Sequence, residues 1–328
     1  MDNNIIKNKI KKCDLLLSIG VHCRPAINLQ FNGLRNFASP LDFMGYYSFS
    51  DLLHLYETDF SDYFEDYKID YDKQTTTGNY WVEDMKNHLL SIHHFPKNKN
   101  FEETYKTFKI KMNERYQRLK KYLENSKYIV FVGEREETDD EMVKFLISFL
   151  KIYPHLKIDL VNAVYDKKYN YDEYKTDIIY NDGKILYKKY FFNDTRVGMD
   201  VAEGNCDIWS KILNEYETDY SIGLRNEWAK FRNENKNVVV YTKLLKSRII
   251  INWILSNDIK IQGIVNKNNA DEKIEIKGMK SKSFFEYPKD ISVIICIDNL
   301  KEAEDVKKML IENGYSKIYI VNKYLRII

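Results

Sequence analysis

The run Lys127-Tyr128-Ile129-Val130-Phe131-Val132-Gly133 and the segments that follow it, Thr138 to Tyr153 and Ile158 to Val164, decide the fold. An unbroken apolar run closed by glycine is the pattern of a strand buried on both faces. Thr138 with Glu141 three residues on forms a capping box, so a helix is expected over Glu141 to Tyr153. Pro154 ends it, and Ile158 to Val164 reads as a second buried strand. Strand, helix and strand in that order imply a mostly parallel sheet covered by helices, an α/β fold.

The same rhythm extends in both directions. Upstream, Asp14-Leu-Leu-Leu-Ser-Ile-Gly20 reads as a strand, and Pro25 suits the first turn of a helix carrying Ile27, Leu29 and Leu34. A helix is expected over Phe49 to Tyr56, an exposed loop over Asp66 to Asn79, and a long helix from the apolar spacing of Phe101, Tyr105, Phe108, Met112, Tyr116, Leu119 and Leu123. Downstream, Lys184 to Phe192 reads as a strand after the Asn181-Asp182-Gly183 turn, and Asp207 to Tyr216 and Tyr220 to Phe231 as helices. The polar run Arg232 to Asn237 marks a boundary between domains over residues 1–235 and 236–328. Beyond it, Val238 to Tyr241, a helix to Ser256, Ile259 to Val265, Ile274 to Met279, Ser292 to Ile297, a helix over Leu300 to Glu312 and Ile318 to Val321 suggest a second, smaller Rossmann-like domain.

A chain of 328 residues is long enough for two domains with cores of their own. Lys and Arg number 51 against 49 Asp and Glu, so bulk nucleic-acid binding is not indicated. No apolar run approaches the ~20 residues of a membrane span. The short run Leu15 to Val21 is not read as a signal peptide, because His22-Cys23-Arg24 follows it directly. Cys13, Cys23, Cys206 and Cys296 lack C-x-x-C spacing, so neither a metal site nor a disulfide framework is expected, and free thiols suit a cytoplasmic protein. The 26 tyrosines accompany abundant Lys, Asn and Ile and are read as drift in composition rather than as site signals.

Ser18-Ile-Gly-Val-His-Cys23-Arg24-Pro25 sets a cysteine between a strand end and a helix start, where free N–H groups and the helix dipole favour an anion. Two readings stay open: Cys23 as a nucleophile with a lowered pKa, or as a small side chain filling a tight turn. Cys206, before Asp207 near a helix start, is the rival thiol. A nucleophile needs a base, and the pair His93-His94 supplies one, with His94 preferred over His93. His22 is a weaker base, and His54, His88 and His155 are read as structural. Asp42, in the turn Ser39-Pro40-Leu41-Asp42-Phe43, is the candidate for orienting the histidine, with Asp194, near Arg196, as runner-up.

Taken together, Ser18-Ile-Gly-x-x-Cys23, Leu29-x-x-x-Gly33-Leu34-Arg35, Ser39-Pro40-Leu41-Asp42-Phe43, Asp59-Phe60-x-x-Tyr63-Phe64, His93-His94-Phe95 and Phe131-Val132-Gly133 resemble a bacterial family described as papain-like cysteine peptidases, over residues 14 to 165. The resemblance implies a nucleophile at Cys23, with one of His93 and His94 and with Asp42 as partners. The second domain is similar to Rossmann-like units of nucleotide-sugar and surface-polysaccharide enzymes, but Thr242-Lys243-Leu-Leu-Lys246-Ser247 stands where G-x-G-x-x-G would cradle a pyrophosphate, and Asn266 stands where an acid is expected. No cofactor is therefore expected. Lys243, Lys246 and Arg248 could hold a phosphate by charge alone.

Three functions follow. The first is a cysteine-dependent hydrolase or acyl transferase acting on a peptide or other small substrate through a thioester at Cys23. The second is a glycan-processing protein or glycosyltransferase in which Cys23 merely packs; Gly20, His22 and Arg24 would then line an anion pocket, with His93, Asp194 and Arg196 as further binding residues. The third is an assembly factor without catalysis.

Overall fold

The computed structural model describes residues 10–73, 75, 78–195, 204–242, 259–266, 275–276, 279–282, 287–297 and 300–321. The chain divides into two compact units, Met1–Gln30 with Leu34–Asp219 and Phe31–Gly33 with Tyr220–Ile328.

The first unit begins with β1 (Lys11–Lys12), β2 (Leu15–Ser18), α1 (Arg24–Phe31), β3 (Met44–Gly45), α2 (Phe49–Glu57), β4 (Tyr67–Asp70), β5 (Trp81–Asp84) and β6 (Leu90–Ser91). It continues with α3 (Phe101–Asn125), β7 (Tyr128–Gly133), α4 (Asp139–Ile152), β8 (Lys157–Tyr165), β9 (Tyr174–Asn181), β10 (Ile185–Phe192), α5 (Cys206–Leu213) and β11 (Tyr216–Glu217). The main sheet has the order β2-β7-β8-β10-β9; its first three pairings are parallel and β9 runs antiparallel to β10.

Strand side chains alternate between two cores, as a pleated sheet requires. Leu15, Leu17, Ile129, Phe131, Ile158 and Leu160 pack with Leu52 and Leu55 of α2, Phe108 and Met112 of α3, and Phe145 and Phe149 of α4. Leu16, Val130, Val132 and Val161 pack with Leu29 of α1 and Ile208, Trp209 and Ile212 of α5. Helices thus cover both faces. The capping box expected at α4 is present, with Thr138 Oγ accepting from the Glu141 N–H. The apolar stripe of α3 is buried at Phe108, Met112, Tyr116, Leu119 and Leu123.

Two expectations are corrected. The stretch read as an exposed loop, Asp66 to Asn79, contains β4, which belongs to a small antiparallel sheet of order β3-β6-β5-β4. Its strands are two to four residues long, too short to display a period. β1 pairs in parallel with β11, and the Lys11 ammonium bonds the buried Asp159 at 2.7 Å. The helix expected to reach Tyr216 ends at Leu213, and Tyr216 lies in β11.

The second unit contains α6 (Asp219–Glu234), β12 (Asn237–Thr242), β13 (Lys260–Asn266), β14 (Glu275–Ile276), β15 (Met279–Lys282), β16 (Ser292–Cys296), α7 (Leu300–Glu312) and β17 (Ile318–Ile320). Its sheet has the order β14-β15-β13-β12-β16-β17, parallel throughout except for the β14–β15 hairpin. Val238, Val240, Ile264 and Ile294 face Trp228 and Phe231 of α6, whereas Val239, Tyr241, Val265 and Val293 face Ala303, Val306 and Leu310 of α7. The helix expected to end at Ser256, and with it Lys243, Lys246 and Arg248, lies outside the described residues.

Candidate functional site

The main sheet delivers Cys23 to the carboxyl end of its first strand. After β2, Ile19 and Gly20 stay buried, and the chain turns at once into α1. Glycine is needed at position 20 because a Cβ there would meet Pro25 Cγ at 2.6 Å. The turn is held by two buried side chains that the sequence reading missed. Tyr47 donates its hydroxyl to the Gly20 carbonyl at 3.0 Å. Arg135 donates to the carbonyls of Ile19 (3.2 Å) and Tyr47 (3.0 Å) and lies over the ring of Phe49 at 4.3 Å. The Cys23 carbonyl accepts the Ile27 N–H at 3.0 Å, so Cys23 stands directly before α1. Cys23 is half-buried, while Cys13, Cys206 and Cys296 are buried.

The thiol meets a histidine, and it is His93. Cys23 Sγ lies 3.2 Å from His93 Nε2. With the imidazole proton on Nδ1 the S–H donates to Nε2, and with it on Nε2 the ring donates to Sγ. Burial pushes the Cys23 thiol up and the His93 imidazole down, so the resting pair is neutral. The sequence argument from the helix N-terminus pointed to a lowered thiol pKa; burial outweighs it. His94, the preferred base, is placed elsewhere: its Nδ1 lies 2.8 Å from Ser91 Oγ and its ring 5.3 Å from that of Phe108. Burial, with the charge of Arg115, drives His94 down to about 3, so it is a neutral packing residue near neutral pH.

Asp42 does not touch either histidine. Its Oδ2 accepts from Arg35 Nε (2.8 Å), Arg35 Nη2 (2.6 Å) and the Ser39 N–H (2.8 Å), which uses the carboxylate to close its own loop. Burial pushes Asp42 up, against the opposing charge of Arg35. Among the described residues no carboxylate hydrogen-bonds His93, so the geometry is a pair rather than a triad. The loop is strained: Phe43 and Tyr46 sit at φ 66° and 68°, where a bulky side chain costs about 1–3 kcal/mol. Phe43 meets the His93 ring in a T-shaped contact with centroids 5.9 Å apart.

A second cluster surrounds Arg24. Its Nη1 bonds Glu134 at 2.9 Å and Asp194 at 2.8 Å, so the charge expected to draw an anion is matched by two carboxylates. Asp194 also accepts from the Asn205 N–H and the Trp209 indole. Burial, with the charges of Asp194 and Glu136 and against that of Arg24, raises Glu134 to about 7. His22 is exposed, and Arg196 lies outside the described residues. Among the described residues no group of three His, Cys, Asp or Glu gathers to hold a metal ion, and no helix is long and apolar enough to cross a membrane.

Residues 14–166 match the family described as "Putative papain-like cysteine peptidase (DUF1796)". No curated protein and no solved structure matches the chain. The matched segment holds Cys23, Arg35, Asp42, Phe43, His93, Glu134 and Arg135, but not Asp194 or the second unit's sheet. One signal for the missed Glu134 and Arg135 was in the sequence: they follow Gly133 directly, at the carboxyl end of a parallel strand, where α/β folds gather their site residues.

Proposed function

We propose that the protein is a cysteine hydrolase of peptidase type, with Cys23 as nucleophile and His93 as base. The 3.2 Å contact between Cys23 Sγ and His93 Nε2 carries the reading, and the family match supports it. Because both groups rest neutral, the proton moves as the bond forms. Sγ attacks the substrate carbonyl carbon while its proton passes to Nε2. The imidazolium then gives that proton to the departing amine, leaving a thioester on Cys23. Water, deprotonated by His93, releases the acid and restores the thiol. The substrate class is a peptide or a similar amide.

The sugar-nucleotide alternative drew on an anion pocket at Gly20, His22 and Arg24. That pocket loses its charge to Glu134 and Asp194. We read the second unit as Rossmann-like, since its parallel strands, numbered in chain order, lie third, second, first, fourth and fifth across the sheet.

Acetylation by p-nitrophenyl acetate, followed by intact-protein and peptide mass spectrometry, tests the assignment. A single adduct at Cys23 is expected, slowed at least tenfold in His93→Ala and unchanged in His94→Ala. Adducts spread over the four cysteines, or formed at the same rate without His93, would refute it.

A further inference from the structure

An imidazole that acts as a base has to be aimed, and a triad does this with a carboxylate on the second ring nitrogen. Asp42 cannot serve, because all its recorded bonds go to Arg35 and Ser39. What stands beside the ring is Phe43, 5.9 Å away at an interplanar angle of 71°. The arrangement has a structural origin: β3 and β6 pair antiparallel with Met44 opposite Ser91, which places Phe43 and His93 just outside the same end of the ladder.

We propose that Phe43 is the positioning residue that aims His93 at Cys23, doing through ring contact what a carboxylate does in a triad. The proposal rests on the reading of Cys23 and His93 as nucleophile and base. Three observations support it beyond the contact itself. Phe43 sits at φ 66°, a conformation a bulky residue does not choose unaided. Asp42 clamps that conformation by gathering Arg35 and the Ser39 N–H onto one oxygen. The Arg35 guanidinium lies over the Phe43 ring at 5.5 Å, so the ring is fixed by a cation and in turn confines the imidazole. The pair of half-buried Arg35 and buried Asp42 thus acts on the thiol through two aromatic rings.

The test is the pH dependence of Cys23 alkylation by iodoacetamide on the full chain, read by peptide mass spectrometry, with melting temperature recorded for each variant. The wild type is expected to show a step in rate with pH that His93→Ala removes. Glycine accepts φ 66° without strain, which offsets part of the lost ring contacts, so Phe43→Gly should stay folded at the assay temperature, yet lose that step and react about tenfold slower at pH 7, the equivalent of one pKa unit. Phe43→Asn, which also tolerates the left-handed region, repeats the test, and Phe43→Tyr, which keeps the ring, should retain the step. A merely structural role for Phe43 would move stability and leave the step in place. If His93→Ala removes the step while Phe43→Gly and Phe43→Asn keep it, Phe43 does not aim the base. If the step survives in His93→Ala itself, the base assignment falls and the positioning role falls with it.

Discussion

Arg135→Met should loosen the turn that carries Cys23, and the structure sets the size of the effect. The Arg135 side chain has no exposure, and it donates to the Ile19 carbonyl at 3.2 Å and to the Tyr47 carbonyl at 3.0 Å. A hydrogen bond from a charged group contributes about 1.5–3 kcal/mol, so the two together give about 3–6 kcal/mol. Met restores part of the packing over Phe49 and removes a buried charge, which offsets some of this and favours the lower end, about 3 kcal/mol. Glu137 loses its partner too, but its side chain is 24% exposed and water can replace the bond. For a unit of this size 1 kcal/mol moves the melting midpoint by about 2–4 °C, so a drop of about 6–12 °C follows. Pulse labelling of thiols along a temperature ramp reads the first unit through buried Cys13 and the second through buried Cys296 in the same sample. A shift below about 2 °C in the Cys13 midpoint would refute the claim that Arg135 holds this turn. Arg135→Lys keeps the charge but not the planar fork and should fall between the two.

Two further predictions concern acid and base. Glu134 is raised to about 7, so its contribution is complete below pH ~4.5 and is lost as pH rises through 7. Glu134→Gln should therefore gain melting temperature relative to the wild type at pH 8 and gain little at pH 5; an equal difference at both values would contradict the burial of that charge. Asp62 behaves oppositely: burial would raise it, but hydrogen bonds from Lys86 and His54 overcome that and hold it at about 2. Its contribution is present above pH ~4 and fades as pH falls to 2, so Asp62→Asn should destabilise at pH 6 and be indistinguishable from the wild type at pH 2, in denaturant titrations at both values.

The buried strands were legible because they need water-free surroundings on both sides, which leaves Tyr128 to Val132 and Val238 to Tyr241 apolar without a break and Ile158 to Val164 interrupted only by Asp159 and Asn162. Helices declared themselves through spacing and caps. β9 escaped notice because Tyr174, Lys175, Thr176 and Asp177 show no apolar alternation, in keeping with a sheet edge that buries little. At the site, composition and turn chemistry led to Cys23 and to the histidine pair. Choosing between His93 and His94 depends on how β6 lies against β3 and β5, a long-range fact that two adjacent identical residues cannot encode. Asp42 was read as the residue that orients the histidine, whereas its carboxylate pairs with Arg35, one cation among 51. The direction of the Cys23 shift depended on burial, which only the packed structure supplies.

The pairing of Lys11–Lys12 with Tyr216–Glu217 bears on how the protein is made. A ribosome builds the chain from the amino end, so β1 waits for a partner until about two hundred residues later, and β2 waits for β7 more than a hundred residues on. Such distant pairings bear a large loop-closure cost and form slowly. During that interval Cys23 has neither the turn that Arg135 holds nor the ring that His93 brings. The contact between Cys23 and His93 therefore belongs to the folded unit and is absent from the nascent chain.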